Sequence, residues 1–202
     1  MTRLCAEDFG RPCQGAIYRD IFYLDRVDLN DEYLIVQRVL FPYVCILTQE
    51  CDLAFDYDAR WGEESPAHYG KALLSVLAAP LYTADQLASG SHLDRLKIPS
   101  RDAQFTCEKF TDKKGKLGRR WSWLKQNDNP RYHYMAFSRE SGLPAVVMDF
   151  KHYFTLSVEL LATEWADRRL GQLEDLERAD LSQRFASFLA RVGLPPSPAA
   201  ED

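Results

Sequence analysis

Thr48-Gln49-Glu50-Cys51-Asp52 sets a hydroxyl, an amide, two carboxylates and a thiol side by side, directly after the apolar run Tyr43-Val44-Cys45-Ile46-Leu47. Chemistry often sits where a chain leaves a rigid strand, and this strand end has the form of a functional groove. In one reading Cys51 is a nucleophile, with Glu50 or Asp52 orienting a distant histidine such as His133. A thiol nucleophile needs a cation or a helix N-terminus to lower its pKa, and the neighbours of Cys51 are acidic. The commoner fate of a free cysteine is to fill space as a small apolar group, which would suit Cys45 and Cys51 alike. Glu50, Asp52, Asp56 and Asp58 are oxygen ligands of the kind that Mg²⁺ or Ca²⁺ takes. Their spacing matches no calcium loop and lacks the glycine of a tight one, so a solvated acidic turn is expected, with no metal and no cofactor. His68, His92, His133 and His152 are scattered, and none pairs with a Cys or His at zinc-ligand spacing.

A second constellation is basic and aromatic. Lys113, Lys114, Lys116, Arg119, Arg120, Lys125 and Arg131 interleave with Trp121, Trp123, Tyr132 and Tyr134. Cations neutralise phosphates and aromatic faces stack on unpaired bases, which points to nucleic-acid contact. Asn127 and Asn129 could add contacts to base edges. The competing reading is a loop whose Trp121 and Trp123, on one face of a strand, dock back onto the core.

The elements that must position these groups follow from the texture of the chain. Residues 15–25 read as a strand, VDLND as a turn, and residues 33–48 as two strands broken near Phe41-Pro42, because proline cannot donate to a ladder. Residues 53–70 are acidic and irregular, a loop; 71–82 read as a buried strand. TADQLASGSHLDRLKIPS suggests short helical pieces, with Thr83 or Asp85 as caps. YHYMAF, AVVMDF and HYFTLSVELL resume strand character. Asp180 to Gln183 has capping-box spacing, and Leu181, Phe185, Phe188, Leu189 and Val192 fall on one helical face that Gly193 and Pro195 end.

With 202 residues, 46% apolar and 27% charged, the chain suits one ordinary globular domain. The expected organisation is a single domain over 1–195 with an insertion at 84–135, and a disordered tail at 196–202. A net charge of −5 makes any nucleic-acid contact a local patch. The five cysteines are widely spaced without a Cys-x-x-Cys pair, and no stretch has signal-peptide or membrane-span character. A cytoplasmic location with reduced thiols and no membrane partner is expected.

The order of features resembles the PemK/MazF-like toxins, small SH3-like barrels of bacterial toxin–antitoxin modules. Gly15-Ala16-Ile17-Tyr18 corresponds to the opening glycine and first strand, and Pro42 to Thr48 to the proline-led strand ending in a hydroxyl residue. Ala79-Pro80-Leu81-Tyr82-Thr83 corresponds to the next strand. Val158 to Leu161 would be the closing strand, Asp167-Arg168-Arg169-Leu170-Gly171 the turn, and Leu181 onward the last helix. The resemblance implies a mainly β, α+β fold: an SH3-like antiparallel barrel with a helical, basic insertion and a C-terminal amphipathic helix. It further implies a toxin–antitoxin or phage-defence role, a cognate antitoxin or defence partner, a homodimer, and metal-independent cleavage of single-stranded RNA through the neighbouring 2′-hydroxyl.

Where the resemblance places a catalytic arginine, this chain has Phe41, with Arg38 three residues earlier. Arg38, or Arg119 and Arg120, would stabilise charge developing on phosphate, and Thr48, Thr83 or His133 would move or orient the proton. Gln49, Glu50, Cys51, Asp52, Arg119, Arg120, Trp121, Lys125 and Arg131 would bind. The alternative is a non-catalytic barrel that recognises nucleic acid or a protein partner; a third reading, a thiol enzyme, rests on Cys51 alone.

Overall fold

The structure, a computed structural model, describes residues 1–5, 10–29, 33–62, 69–96 and 118–191. His68, Cys107, Lys113, Lys114 and Lys116 lie outside those residues, as do Val192, Gly193, Pro195 and the 196–202 tail. Eight strands are seen among the described residues, all paired antiparallel: β1 (Leu4–Cys5), β2 (Ala16–Leu29), β3 (Leu34–Ile46), β4 (Val76–Thr83), β5 (Tyr132–Met135), β6 (Val146–Asp149), β7 (Phe154–Leu156) and β8 (Arg169–Leu173). They form a curled half-barrel in the order β1-β8-β2-β3-β4-β6-β5, with β7 also on β4. The helices are α1 (Glu50–Trp61), α2 (Ala84–Ser89), α3 (Ser91–Arg95), α4 (Arg119–Lys125), α5 (Val158–Ala162) and α6 (Asp175–Leu189). The chain is thus mixed α and β. No helix among the described residues is long and apolar enough to cross a membrane.

The centre of the sheet is buried on both faces. Tyr18, Val44, Tyr82 and Val147 belong to one apolar cluster, while their chain neighbours Ile17, Cys45, Leu81 and Met148 belong to the other. Side chains alternate across a strand, so strands covered on both sides read as unbroken apolar runs. Leu181 and Phe185 of α6 cover the second face, with Phe150 ringed by Phe185 and Phe188 at 5.5 and 5.6 Å.

Pro42 does not break its strand: β3 is continuous over 13 residues. Opposite Pro42 lies Asp20, between the paired Arg19↔Tyr43 and Ile21↔Phe41. Asp20 takes φ 54, and its carbonyl accepts a hydrogen bond from Arg168 Nη1 at 2.6 Å. The missing donor of proline is therefore met by a kink in the partner strand rather than by a strand end. Burial changes phase at the same place: Ala16, Tyr18 and then Ile21 on β2, and Val39, Phe41 and then Val44 on β3, join one cluster. Beyond the kink the hairpin projects, and the pairs Phe22↔Leu40, Leu24↔Arg38, Val27↔Val36 and Leu29↔Leu34 share its outer face. A register shift at Asp25 keeps that face in phase.

Other expectations are corrected by helix physics. The acidic stretch after Thr48 is helix α1 rather than a loop: Glu50 and Asp52 sit in its first turn, where carboxylates favour the helix dipole, and Leu53 and Asp56 face inward. Asp56 is buried with its carboxylate held by Arg60 and by Leu73 N. Val158 to Ala162 is helix α5, capped by Ser157, rather than a strand. Arg169 to Gly171, expected in a turn, open β8. Helix α6 starts at Asp175, so Asp180 to Gln183 lie inside it rather than capping it. The strand at 71–82 begins only at Val76, and β5 falls within the 84–135 segment yet belongs to the sheet. As the sequence suggested, Thr83 caps α2 in a full capping box with Gln86.

Candidate functional site

At the end of β4 the fold gathers titratable side chains from four segments. Tyr82 comes from β4, His92 from α3, Arg131 from the residue before β5, and Asp149 and His152 from the end of β6 and the 3-10 turn after it. This turn, Phe150–His152, interrupts what would be one strand along β4, leaving β6 on Leu81–Thr83 and β7 on Val76–Ala78. Asp149 holds it closed by accepting from Lys151 N at 3.0 Å.

The Asp149 side chain is fully buried and bound by Arg131 in a two-pronged ion pair, Nε at 2.8 Å and Nη2 at 2.5 Å. His152 bridges outward from it, with Nε2 3.6 Å from Asp149 Oδ2 and Nδ1 2.9 Å from Tyr82 Oη. The His92 ring packs 4.8 Å from that of Tyr82, and its Nδ1 donates to the Gln86 carbonyl at 3.2 Å. Burial pushes both histidines below the usual imidazole range, against the pull of the Gln86 carbonyl on His92 and of Asp149 on His152. Burial, with Asp149 nearby, pushes the Tyr82 hydroxyl above the usual phenol range. Near neutral pH the group is therefore a neutral phenol and two neutral imidazoles around one ion pair. His152 and Arg131 form its outer rim, with side chains 15% and 28% exposed.

The residues expected to do chemistry are dispersed. Arg38 lies on the outer face of the hairpin with its guanidinium 5.7 Å from the Phe22 ring. The Thr48 hydroxyl accepts from Leu77 N at 2.7 Å and ties β4 to the start of α1. Thr83 is spent as a helix cap. His133 is buried on β5 beside Phe150, its Nδ1 unpartnered and 3.9 Å from Asp180 Oδ2. Burial, assisted by Arg184, pushes its pKa down to about 3. Thr48→Val should lower unfolding free energy by about 1 kcal/mol, the cost of losing the bond to a part-buried backbone donor; an unchanged urea midpoint would contradict that role.

Gln49, Cys51 and Asp52 are exposed at the start of α1. The Cys51 sulfur is 3.9 Å from Gln49 Oε1 and 3.7 Å from Asp52 Oδ1, both acceptors. Glu50 turns the other way, accepting from Arg11 Nη2 at 2.7 Å and Gln14 N at 2.8 Å, with Arg178 at 3.8 Å. That network continues through Arg169, which donates to Gln172 Oε1 and the Arg11 carbonyl. It also holds Cys13, whose thiol donates to Gln172 Oε1 at 2.5 Å and is pushed up to about 11 by burial. It anchors the turn at Gly15, where φ is 75 and an added Cβ would come within 3.2 Å of Leu173. Cys13, Cys45 and Cys51 carry free thiols.

Helix α4 lies in the segment expected to be helical and basic, and corrects the reading of Trp121 and Trp123 as sharing one strand face. Trp121 and Leu124 anchor it in the core, and Trp123 turns outward at 47% exposure. Arg119 stacks over Trp123 at 4.8 Å, and Arg120 and Lys125 are exposed on the same helix. Arg131 is committed to Asp149, while Asn127 and Asn129 secure turns by bonding Tyr134 and Arg131 N.

Sequence reading missed the Tyr82 cluster. Its signal was Asp149 and His152, three apart and polar within an apolar stretch. Comparison with protein-family models, with curated proteins and with solved structures finds no match to this chain.

Proposed function

We propose that the chain is an RNA-directed protein of the toxin–antitoxin or defence kind, an SH3-like barrel in the manner of PemK/MazF-like toxins, that holds single-stranded RNA against α4. The observation carrying this reading is the exposed surface of that helix. Trp123, clasped by Arg119, offers a flat face to an unpaired base, and Arg119, Arg120 and Lys125 offer charge to the phosphates on either side. Trp121 and Leu124, locked in the core, hold the platform still. The overall charge of −5 confines such binding to this patch. The antiparallel half-barrel supports the family reading.

A second reading adds metal-independent cleavage, and the Tyr82–His152–Asp149–Arg131 chain favours it. With the His152 proton on Nδ1 and donated to Tyr82, Nε2 is the basic nitrogen, 3.6 Å from Asp149 Oδ2. It would take the 2′-hydroxyl proton as the oxygen attacks the adjacent phosphorus to form a 2′,3′-cyclic phosphate, while the P–O5′ bond breaks and the 5′-oxygen takes a proton from water. Asp149 would then face the imidazolium that forms. One assay separates the readings: a fluorescent unstructured RNA incubated with the protein in EDTA, followed by anisotropy and by gel. Binding with intact RNA leaves the binding module. Cleavage that His152→Ala abolishes while binding persists adds the enzyme, and neither binding nor cleavage overturns both.

A further inference from the structure

The projecting half of the β2–β3 hairpin carries an apolar face that nothing in the chain covers among the described residues. Seven of the eight side chains in its four outer cross-strand pairs are apolar, and each is at least 38% exposed. Contiguous exposed apolar surface of this kind marks a docking site. The one polar member is Arg38, lying against Phe22, and Arg168 approaches the same ring at 6.0 Å. Of the paired residues, Asp28 opposite Ile35 and Arg26 opposite Gln37 lie on the other side, where Arg26 and Asp28 form their own ion pair.

We infer that this outer face docks an acidic amphipathic helix of a partner protein, whose apolar stripe covers Leu24, Val27, Val36 and Leu40 and whose carboxylates meet Arg38 and Arg168. Dimensions fit. The seven residues Leu34 to Leu40 extend about 23 Å, which a helix of about 15 residues matches, and a two-stranded ribbon is as wide as one helix. Charge selects the partner. A second copy laid face to face would set Arg38 against cross-strand pairs that are otherwise apolar, and an uncompensated buried cation is costly. A helix with apolar residues at i, i+3, i+4 and i+7 and glutamates along its flank satisfies both requirements.

The inference is independent of RNA binding by α4. It is tested on the full chain with two 15-residue helical peptides of that pattern, identical except that glutamate in one is lysine in the other. The glutamate peptide should bind at least tenfold more tightly than the lysine peptide. Val36→Lys should weaken it at least tenfold with an unchanged melting curve, and Arg38→Glu should reverse the preference. Failure of both peptides to bind, equal binding of the two, or a preference that Arg38→Glu leaves unmoved would overturn the inference. So would a dimer of the chain alone, seen by light scattering and dissolved by Val36→Lys, because the occupant would then be a second copy.

Discussion

Asp149→Ala should lower the unfolding free energy by about 3–5 kcal/mol, the range expected when one member of a buried ion pair is removed. Its carboxylate has no exposed surface and accepts from Arg131 twice and from Lys151 N. The substitution strands the Arg131 cation, releases the cap of the Phe150–His152 turn, and removes the carboxylate beside His152. Because that turn sets where β6 ends and β7 begins on β4, the loss should reach the sheet rather than stay local. Urea unfolding measures it. A double replacement, Arg131→Met with Asp149→Leu, should recover much of the loss, since a buried pair exchanged for apolar groups is often neutral. A loss below about 1 kcal/mol for Asp149→Ala would show that the pair does not organise the turn.

Acid should unfold the chain earlier than its carboxylates alone would require. His133 is neutral in the folded state down to about pH 3, whereas the unfolded side chain takes its proton near 6.5. Between those values the unfolded chain binds the extra proton, so the stabilising contribution is whole above about pH 6.5 and drains away as the pH falls toward 3. His92 and His152 are displaced in the same direction by burial and add to the slope. His133 contributes roughly 1 kcal/mol per pH unit where it is fully engaged. His133→Phe removes one share and replaces an unpartnered buried nitrogen with carbon. The variant should match or exceed the parent's stability at pH 5 and show a shallower fall from pH 7 to 5. Parallel slopes would mean that His133 can protonate inside the fold.

Much of the architecture was legible from local pattern. The strand at Ala16, the apolar runs that became β3 and β4, the Thr83 cap and the inward face at Leu181 and Phe185 all rest on short-range rules. Misreadings came where a distant group changed the rule. Pro42 passes through its strand because Asp20, across the hairpin, bends away and gives its carbonyl to Arg168. The acidic stretch after Thr48 folds as a helix because Asp56 is neutralised by Arg60 and by the Leu73 amide. Trp121 and Trp123 part company because the segment is helical. The candidate site was hidden for the same reason: Tyr82, His92, Arg131 and His152 are far apart in sequence, and only the β4–β6 pairing and the packing of α3 bring them together.

RNA contact through α4 is tested most directly by the affinity of the chain for an unstructured RNA before and after Trp123→Ala, a change at an exposed ring that leaves the core anchors Trp121 and Leu124 in place. A stacked base is worth about 1–3 kcal/mol, so the affinity should fall roughly tenfold or more, and Arg119→Glu should weaken it further while flattening its dependence on salt. Equal affinities for the parent and Trp123→Ala chains, with Arg119→Glu also without effect, would contradict it.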